Sequence, residues 1–123
     1  MAHKILIVDD EPNIVISLEF LMKKEGFEVA VATDGEEALA KVAGFNPDLL
    51  LLDVMMPKKS GFEVCEALRA DPARAGLRIL MLTAKGRDTE VAKGLAIGAD
   101  AYVTKPFSTK ELVAKVKDML GVA

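Results

Sequence analysis

The sequence predicts an α/β domain built on a parallel β-sheet. Five short apolar runs recur along the chain, and a helical pattern with a recognisable end follows each of them. Three of the runs are apolar without interruption, as in the central strands of a sheet covered on both faces. Residues 1–123 are expected to form a single domain, enough chain to bury a sizeable core.

The elements follow in order. "ILIV" (5–8) is a central strand, and Ile14, Leu18 and Leu21 recur at helical spacing until Gly26 stops the helix. "FEVAVA" (27–32) alternates Phe27, Val29 and Val31 with smaller or charged neighbours, which suits an edge strand. Thr33 to Glu36 fits a capping box, in which the first side chain takes an orphan N–H and the Glu reaches back. "LLLL" (49–52) is a second central strand, and Ser60 to Glu63 a second capping box. "ILML" (79–82) is the third, followed by Asp88 as the cap of a helix carrying Val91 and Leu95 and ended by Gly98. "AYV" (101–103) is the last strand. Ser108 to Glu111 then opens a helix lined by Leu112, Val116 and Met119, with Gly121 just beyond.

Composition excludes several functions. A formal net charge of -3 argues against direct nucleic-acid binding, which needs a basic face. The one cysteine, Cys65, cannot form an intrachain disulfide, which suits the cytoplasm, and beside Phe62 and Leu68 it reads as a small buried residue. After His3 and Lys4 only Ile5 to Val8 are apolar, too few for a signal peptide, and no apolar run reaches the ~20 residues of a membrane helix. No membrane association is expected.

In a parallel sheet all strands deliver their carboxyl ends to one edge, where ligands bind. Asp9 and Asp10 follow the first strand, Asp53 the third, Thr83 the fourth and Lys105 the fifth. Singly, each has a plain reading: a solvated strand end, a loop acid, a helix cap, a turn lysine. Together on one rim they have a different one. Three adjacent carboxylates raise one another's pKa unless a cation compensates. A hard divalent ion fits, and Mg²⁺ best, since it takes one or two carboxylates, several waters and a phosphate oxygen. Lys105 and Thr83 suit a phosphoryl group, and a carboxylate is then a candidate nucleophile.

At these residues the sequence resembles a known family. "VDDEPN", "LLLLDVMMPKKSG", "LTA" and "YVTKPF" are similar to the motifs of response-regulator receiver domains, the CheY-like superfamily of two-component signalling, in order and over almost the whole chain. The resemblance implies a flavodoxin-like, doubly wound, five-stranded parallel sheet of order 2-1-3-4-5 with five helices. It implies that Asp53 accepts a phosphoryl group from a phosphohistidine of a sensor histidine kinase or phosphotransfer protein. Asp9, Asp10 or both would hold Mg²⁺ with Asp53 and the Met55 backbone carbonyl, Asp10 being favoured as the direct ligand. Thr83 and Lys105 would grip phosphoryl oxygens, and Tyr102 would turn inward as Thr83 moves. Ala84 leaves room for the donor, the Lys105–Pro106 bond would be cis and aim the lysine, and Met55 and Lys85 would tune the phosphoryl lifetime. By side chain, Met55 and Met56 read as core and loop filler.

The resemblance implies a switch rather than an enzyme. Its output would be a downstream protein partner or an output domain, driven through the fourth helix, fifth strand and fifth helix, with phosphorylation-dependent dimerisation open. Two neighbouring functions fit less well. Aspartyl-phosphate phosphatases carry a second acid two residues after the nucleophile, where this chain has Met55. A flavin site would need a Ser/Thr/Gly phosphate loop where "DDEPN" puts negative charge, and more aromatics than 5% of residues. A degenerate module that never takes phosphate is disfavoured by the complete set of acids, hydroxyl and lysine.

Overall fold

The computed structural model describes residues 3–56, 59–84 and 88–122. Strands and helices alternate through them: β1 (Lys4–Val8), α1 (Pro12–Lys24), β2 (Glu28–Ala32), α2 (Gly35–Phe45), β3 (Leu49–Asp53), α3 (Gly61–Arg69), β4 (Arg78–Ala84), α4 (Asp88–Ile97), β5 (Ala101–Lys105) and α5 (Thr109–Leu120). A short 3-10 turn at Pro72–Arg74 joins α3 to β4. The strands form one sheet in the order β2-β1-β3-β4-β5, with every neighbouring pair parallel. The three uninterrupted runs are the three central strands, and the alternating run is an edge.

Side-chain alternation divides the core in two. Leu6, Val8, Leu50, Leu52, Ile79 and Met81 face α2 and α3, where Val42, Val64 and Cys65 meet them. Ile5, Ile7, Leu49, Leu51, Leu80 and Leu82 face α1 and α5, against Leu18, Met22, Leu112 and Val116. Leu49 to Leu52 have no exposed surface at all. Burying one such leucine contributes about 1.5–3 kcal/mol, so the apolar strands stabilise both layers at once.

Local signals place the helix ends, with some corrections. Gly26 adopts φ +89 after α1, and Gly121 φ +73 after α5, conformations that cost glycine least. Ser60 and Glu63 form the reciprocal capping box of α3. For α2 the cap is Asp34 rather than Thr33: Asp34 accepts from the Glu37 N–H, and the Glu37 carboxylate takes the Thr33 N–H. Aspartate outcompetes threonine as a cap because its carboxylate is the stronger acceptor. At α5 the forward half forms, Ser108 Oγ accepting from Glu111 N–H at 3.3 Å. Asp88 is the first helical residue of α4 rather than its cap. That helix also turns differently from the expected stripe. Leu95 is exposed, and Gly94 is the buried residue, close against the Met81 sulfur. A bare Cα brings α4 nearer to the sheet than a leucine face would.

No helix among the described residues is long and apolar enough to cross a membrane.

Candidate functional site

The carboxyl ends of β1, β3 and β5 bring three of the predicted residues into direct contact. Asp9 directly follows β1 and has no exposed surface. Its N–H donates to the Ala32 carbonyl at the end of β2, which fixes the backbone. Its Oδ1 accepts from the Glu11 N–H at 3.0 Å and its Oδ2 from Lys105 Nζ at 2.9 Å. Asp53 is the last residue of β3 and is 6% exposed. Its Oδ1 accepts from the same ammonium at 3.3 Å. Asp10 is exposed beside them, and carboxylate oxygens of Asp9, Asp10 and Asp53 lie within 4.8 Å of one another. These acids, with Met55, Ala84 and Lys105, line a cavity of about 230 Å³.

One ammonium is shared between two buried carboxylates, and the electrostatics follow from that. Burial, then the charge of Asp9, pushes the Asp53 carboxyl up from 3.8 to about 6, while Lys105 and the Met55 backbone pull it down. Burial alone would lower the Lys105 pKa. The hydrogen bond to Asp9 and the charges of Asp53 and Asp9 outweigh it, so Lys105 stays firmly protonated above its ordinary value. The site therefore carries negative charge beyond what its lysine offsets, and an oxygen-liganded cation could be held there.

Thr83 stands at the carboxyl edge without lining the cavity. It lies inside β4, which continues to Ala84, and alternation turns it to the Met81 side while Leu82 and Ala84 line the cavity. Its hydroxyl is buried and has no hydrogen-bond partner among the described residues. Such a group is costly unless something occupies or reaches it. Tyr102, on β5, is 40% exposed, with Lys115 Nζ 6.0 Å from its ring centroid. The Lys105–Pro106 bond is cis. Met55 is exposed at the cavity mouth rather than core, while Met56 packs against the buried layer. Lys85 lies outside the described residues.

Two contributors carry little signal in the sequence. Glu11 presents its N–H to Asp9, which any residue at that position could do. Gly61 opens α3, and a Cβ there would overlap the Asp53 carbonyl oxygen. Its place directly after the Ser60 cap is the sequence feature that could have marked it.

Comparison with known proteins agrees with this geometry. The model of the response regulator receiver domain matches residues 5–117. The alkaline phosphatase synthesis transcriptional regulatory protein PhoP of Bacillus subtilis is 49% identical over 98% of this chain and 49% of its own length. The DNA-binding response regulator MtrA of Mycolicibacterium smegmatis is 48% identical over 98% of this chain and 51% of its own. The chain thus spans about half the length of the curated relatives it matches. Among solved structures, a chain described as a response regulator from Chloroflexus aurantiacus superposes with TM-score 0.95 at 40% identity, covering 98% of this chain and 99% of that one. A match that runs from the first strand into the last helix, through every strand end that builds the cavity, settles the family: this chain belongs to the response regulator receiver domains of two-component signalling.

Proposed function

We propose that Asp53 is the phosphoacceptor, taking a phosphoryl group from a phosphohistidine of a sensor histidine kinase or phosphotransfer protein. The observation that carries this reading is the position of Asp53. It is almost wholly buried, its Oδ1 is held 3.3 Å from Lys105 Nζ, and it opens onto a cavity of about 230 Å³. A carboxylate oxygen of Asp53 forms the bond to phosphorus as the bond to the donor nitrogen breaks, and that electron pair leaves with the imidazole.

The other residues support that step. Asp9, Asp10, Asp53 and the Met55 carbonyl would hold Mg²⁺; the clustered carboxylate oxygens and the raised Asp53 pKa fit a hard cation. When bound, the ion would offset the carboxylate repulsion and the charge on the phosphoryl oxygens. Asp9 is already bonded through both oxygens and Asp10 is free to turn, which favours Asp10 as the direct ligand. Lys105 orients the Asp53 carboxylate now and would grip a phosphoryl oxygen afterwards. Ala84, small and exposed on the wall, leaves the donor room.

The orphan hydroxyl of Thr83 gives the switch a driving force. A phosphoryl oxygen on Asp53 would draw Thr83 toward it, vacating space that the half-exposed Tyr102 could enter. That movement would bias the α4–β5–α5 face and with it a protein partner or an output domain. PhoP and MtrA bear names that describe transcriptional and DNA-binding roles, so an attached DNA-binding output is one form this could take. In our reading the receiver itself, at net charge -3, is a cytoplasmic switch that neither touches nucleic acid nor turns over a substrate of its own.

The test is incubation with acetyl phosphate and Mg²⁺ followed by intact mass. A gain of one phosphoryl mass, lost with chelator and with Asp53→Asn, is expected. No gain, or a gain that survives Asp53→Asn, rejects the assignment.

A further inference from the structure

Gly35 is the first residue of α2 and is buried. A Cβ built on it would overlap the Lys59 Cβ and lie 2.5 Å from the Lys59 carbonyl oxygen. Close backbone approach, not a left-handed φ, is what demands glycine here. Gly44 on the same helix is the counterexample: a Cβ there meets nothing within 4 Å.

Both sides of the Gly35 contact are tied down. At the start of α2, Asp34 Oδ1 accepts the Glu37 N–H at 2.8 Å, and the Glu37 carboxylate takes the Thr33 N–H at 2.6 Å. Across the contact, Lys59 directly precedes Ser60, which makes the reciprocal cap of α3 with Glu63. Lys59 lies in the β3–α3 connection, of which Val54–Met56, Lys59 and Ser60 are described. The Gly61 N–H closes that connection onto the Val54 carbonyl at 2.9 Å. That bond links the stretch braced by α2 to Val54, the residue before Met55, and both line the cavity.

We infer that Gly35 is a positioning residue for the phosphoacceptor site. Its bare Cα lets α2 lie against Lys59 and so holds, through Gly61 and Val54, the backbone at Met55 where its carbonyl can serve as a ligand. The inference rests on the metal role proposed above for that carbonyl and the Asp cluster. A methyl group at Gly35 must displace either a doubly capped helix start or the loop. Displacement on the Lys59 side is passed through Gly61 and Val54 to the Met55 carbonyl. Groups that orient a metal ligand without touching the metal change affinity by about 10–100-fold.

The experiment is an Mg²⁺ titration of the full chain, followed by NMR amide shifts. It compares wild type, Gly35→Ala, Gly44→Ala and the double variant Gly35→Ala with Lys59→Gly. Gly35→Ala should weaken Mg²⁺ binding about tenfold, while Gly44→Ala binds as wild type does. The double variant, lacking the overlapping Lys59 Cβ, should recover part of the loss. Phosphorylation of Gly35→Ala by acetyl phosphate should return near wild type at saturating Mg²⁺, which a general folding defect would not allow. A wild-type chain that binds no Mg²⁺ overturns the metal role itself. Wild-type binding matched by Gly35→Ala overturns the inference alone. So does a loss that neither saturating Mg²⁺ nor Lys59→Gly recovers, because the glycine is then merely structural. If Gly35→Ala does not fold, Lys59→Gly decides by loosening the brace from the loop side. A smaller loss of Mg²⁺ affinity supports the inference, and unchanged affinity overturns it.

Discussion

The two edges of the sheet treat charge in opposite ways. At the amino edge, among the described residues, two exposed acids each tie down donors from another element. Asp48 accepts the Lys4 N–H at 2.8 Å, and Asp100 accepts both the Ile79 N–H and an Arg69 Nη2–H at 2.8 Å. Arg69 spreads its remaining donors over the carbonyls of Gly98, Arg74 and Leu77. At the carboxyl edge Asp9 and Asp53 share a single ammonium, and Thr83 Oγ1 has no partner among the described residues. The same chemical groups are a staple at one edge and a site at the other. Complete satisfaction marks a structural role, and a surplus held in place by the fold marks a functional one.

That contrast can be broken most severely at Asp53. Asp53→Asn should abolish phosphoryl gain from acetyl phosphate, a loss of more than about 10³-fold in rate, since the oxygen proposed as nucleophile is gone. Intact mass reads it directly. Next in size is the staple. Arg69→Ala leaves several carbonyls without this donor and Asp100 with only the Ile79 N–H, and should cost about 2–3 kcal/mol in urea unfolding while phosphorylation persists. Loss of phosphorylation at unchanged stability would reverse the roles of the two edges.

A smaller effect runs in the stabilising direction. The folded Asp53 pKa, about 6, lies above its ordinary 3.8. Between those values the folded chain holds more protons than the unfolded one, so stability falls as pH rises through that window and stays reduced above it. Without divalent cation, Asp53→Asn should therefore raise stability at pH 7 by about 1–2 kcal/mol, the charge surplus being gone while Asp9 and Lys105 remain paired. It should also flatten the stability profile between pH 4 and 6 in denaturant melts. A destabilised Asn variant would mean that the carboxyl edge is a staple after all. The smallest change lies at neither edge. Gly44→Ala, with open space around it, should add about 0.5–1 kcal/mol through helix propensity. A loss would show that α2 is more constrained than its surroundings indicate.

Much of this was legible in residue order because each signal is local. "ILIV", "LLLL" and "ILML" are apolar on both faces, so a covered central strand is the only sheet position that suits them. Asp9, Asp53 and Lys105 could be brought together from sequence alone, because parallel strands necessarily deliver their carboxyl ends to one edge. The misplaced details share a cause. The α2 cap fell on Asp34 rather than Thr33 because two adjacent side chains compete for one set of N–H groups. Leu95 points to solvent because the Gly94 face reaches the sheet more closely. Both depend on what packs opposite.

By itself, then, the sequence determined the layers, the strand that lies at the edge, and the rim where acids and lysine gather. These follow from the period of apolar residues and the direction of the chain. Only the tertiary structure decided that Asp9 is bonded through both oxygens while Asp10 stays exposed, and that Thr83 is buried with an idle hydroxyl. It alone shows that Gly35 lies against Lys59. Each of these is a contact between residues distant in the chain, and desolvation, hydrogen bonding and steric room exist only once the layers have closed over them.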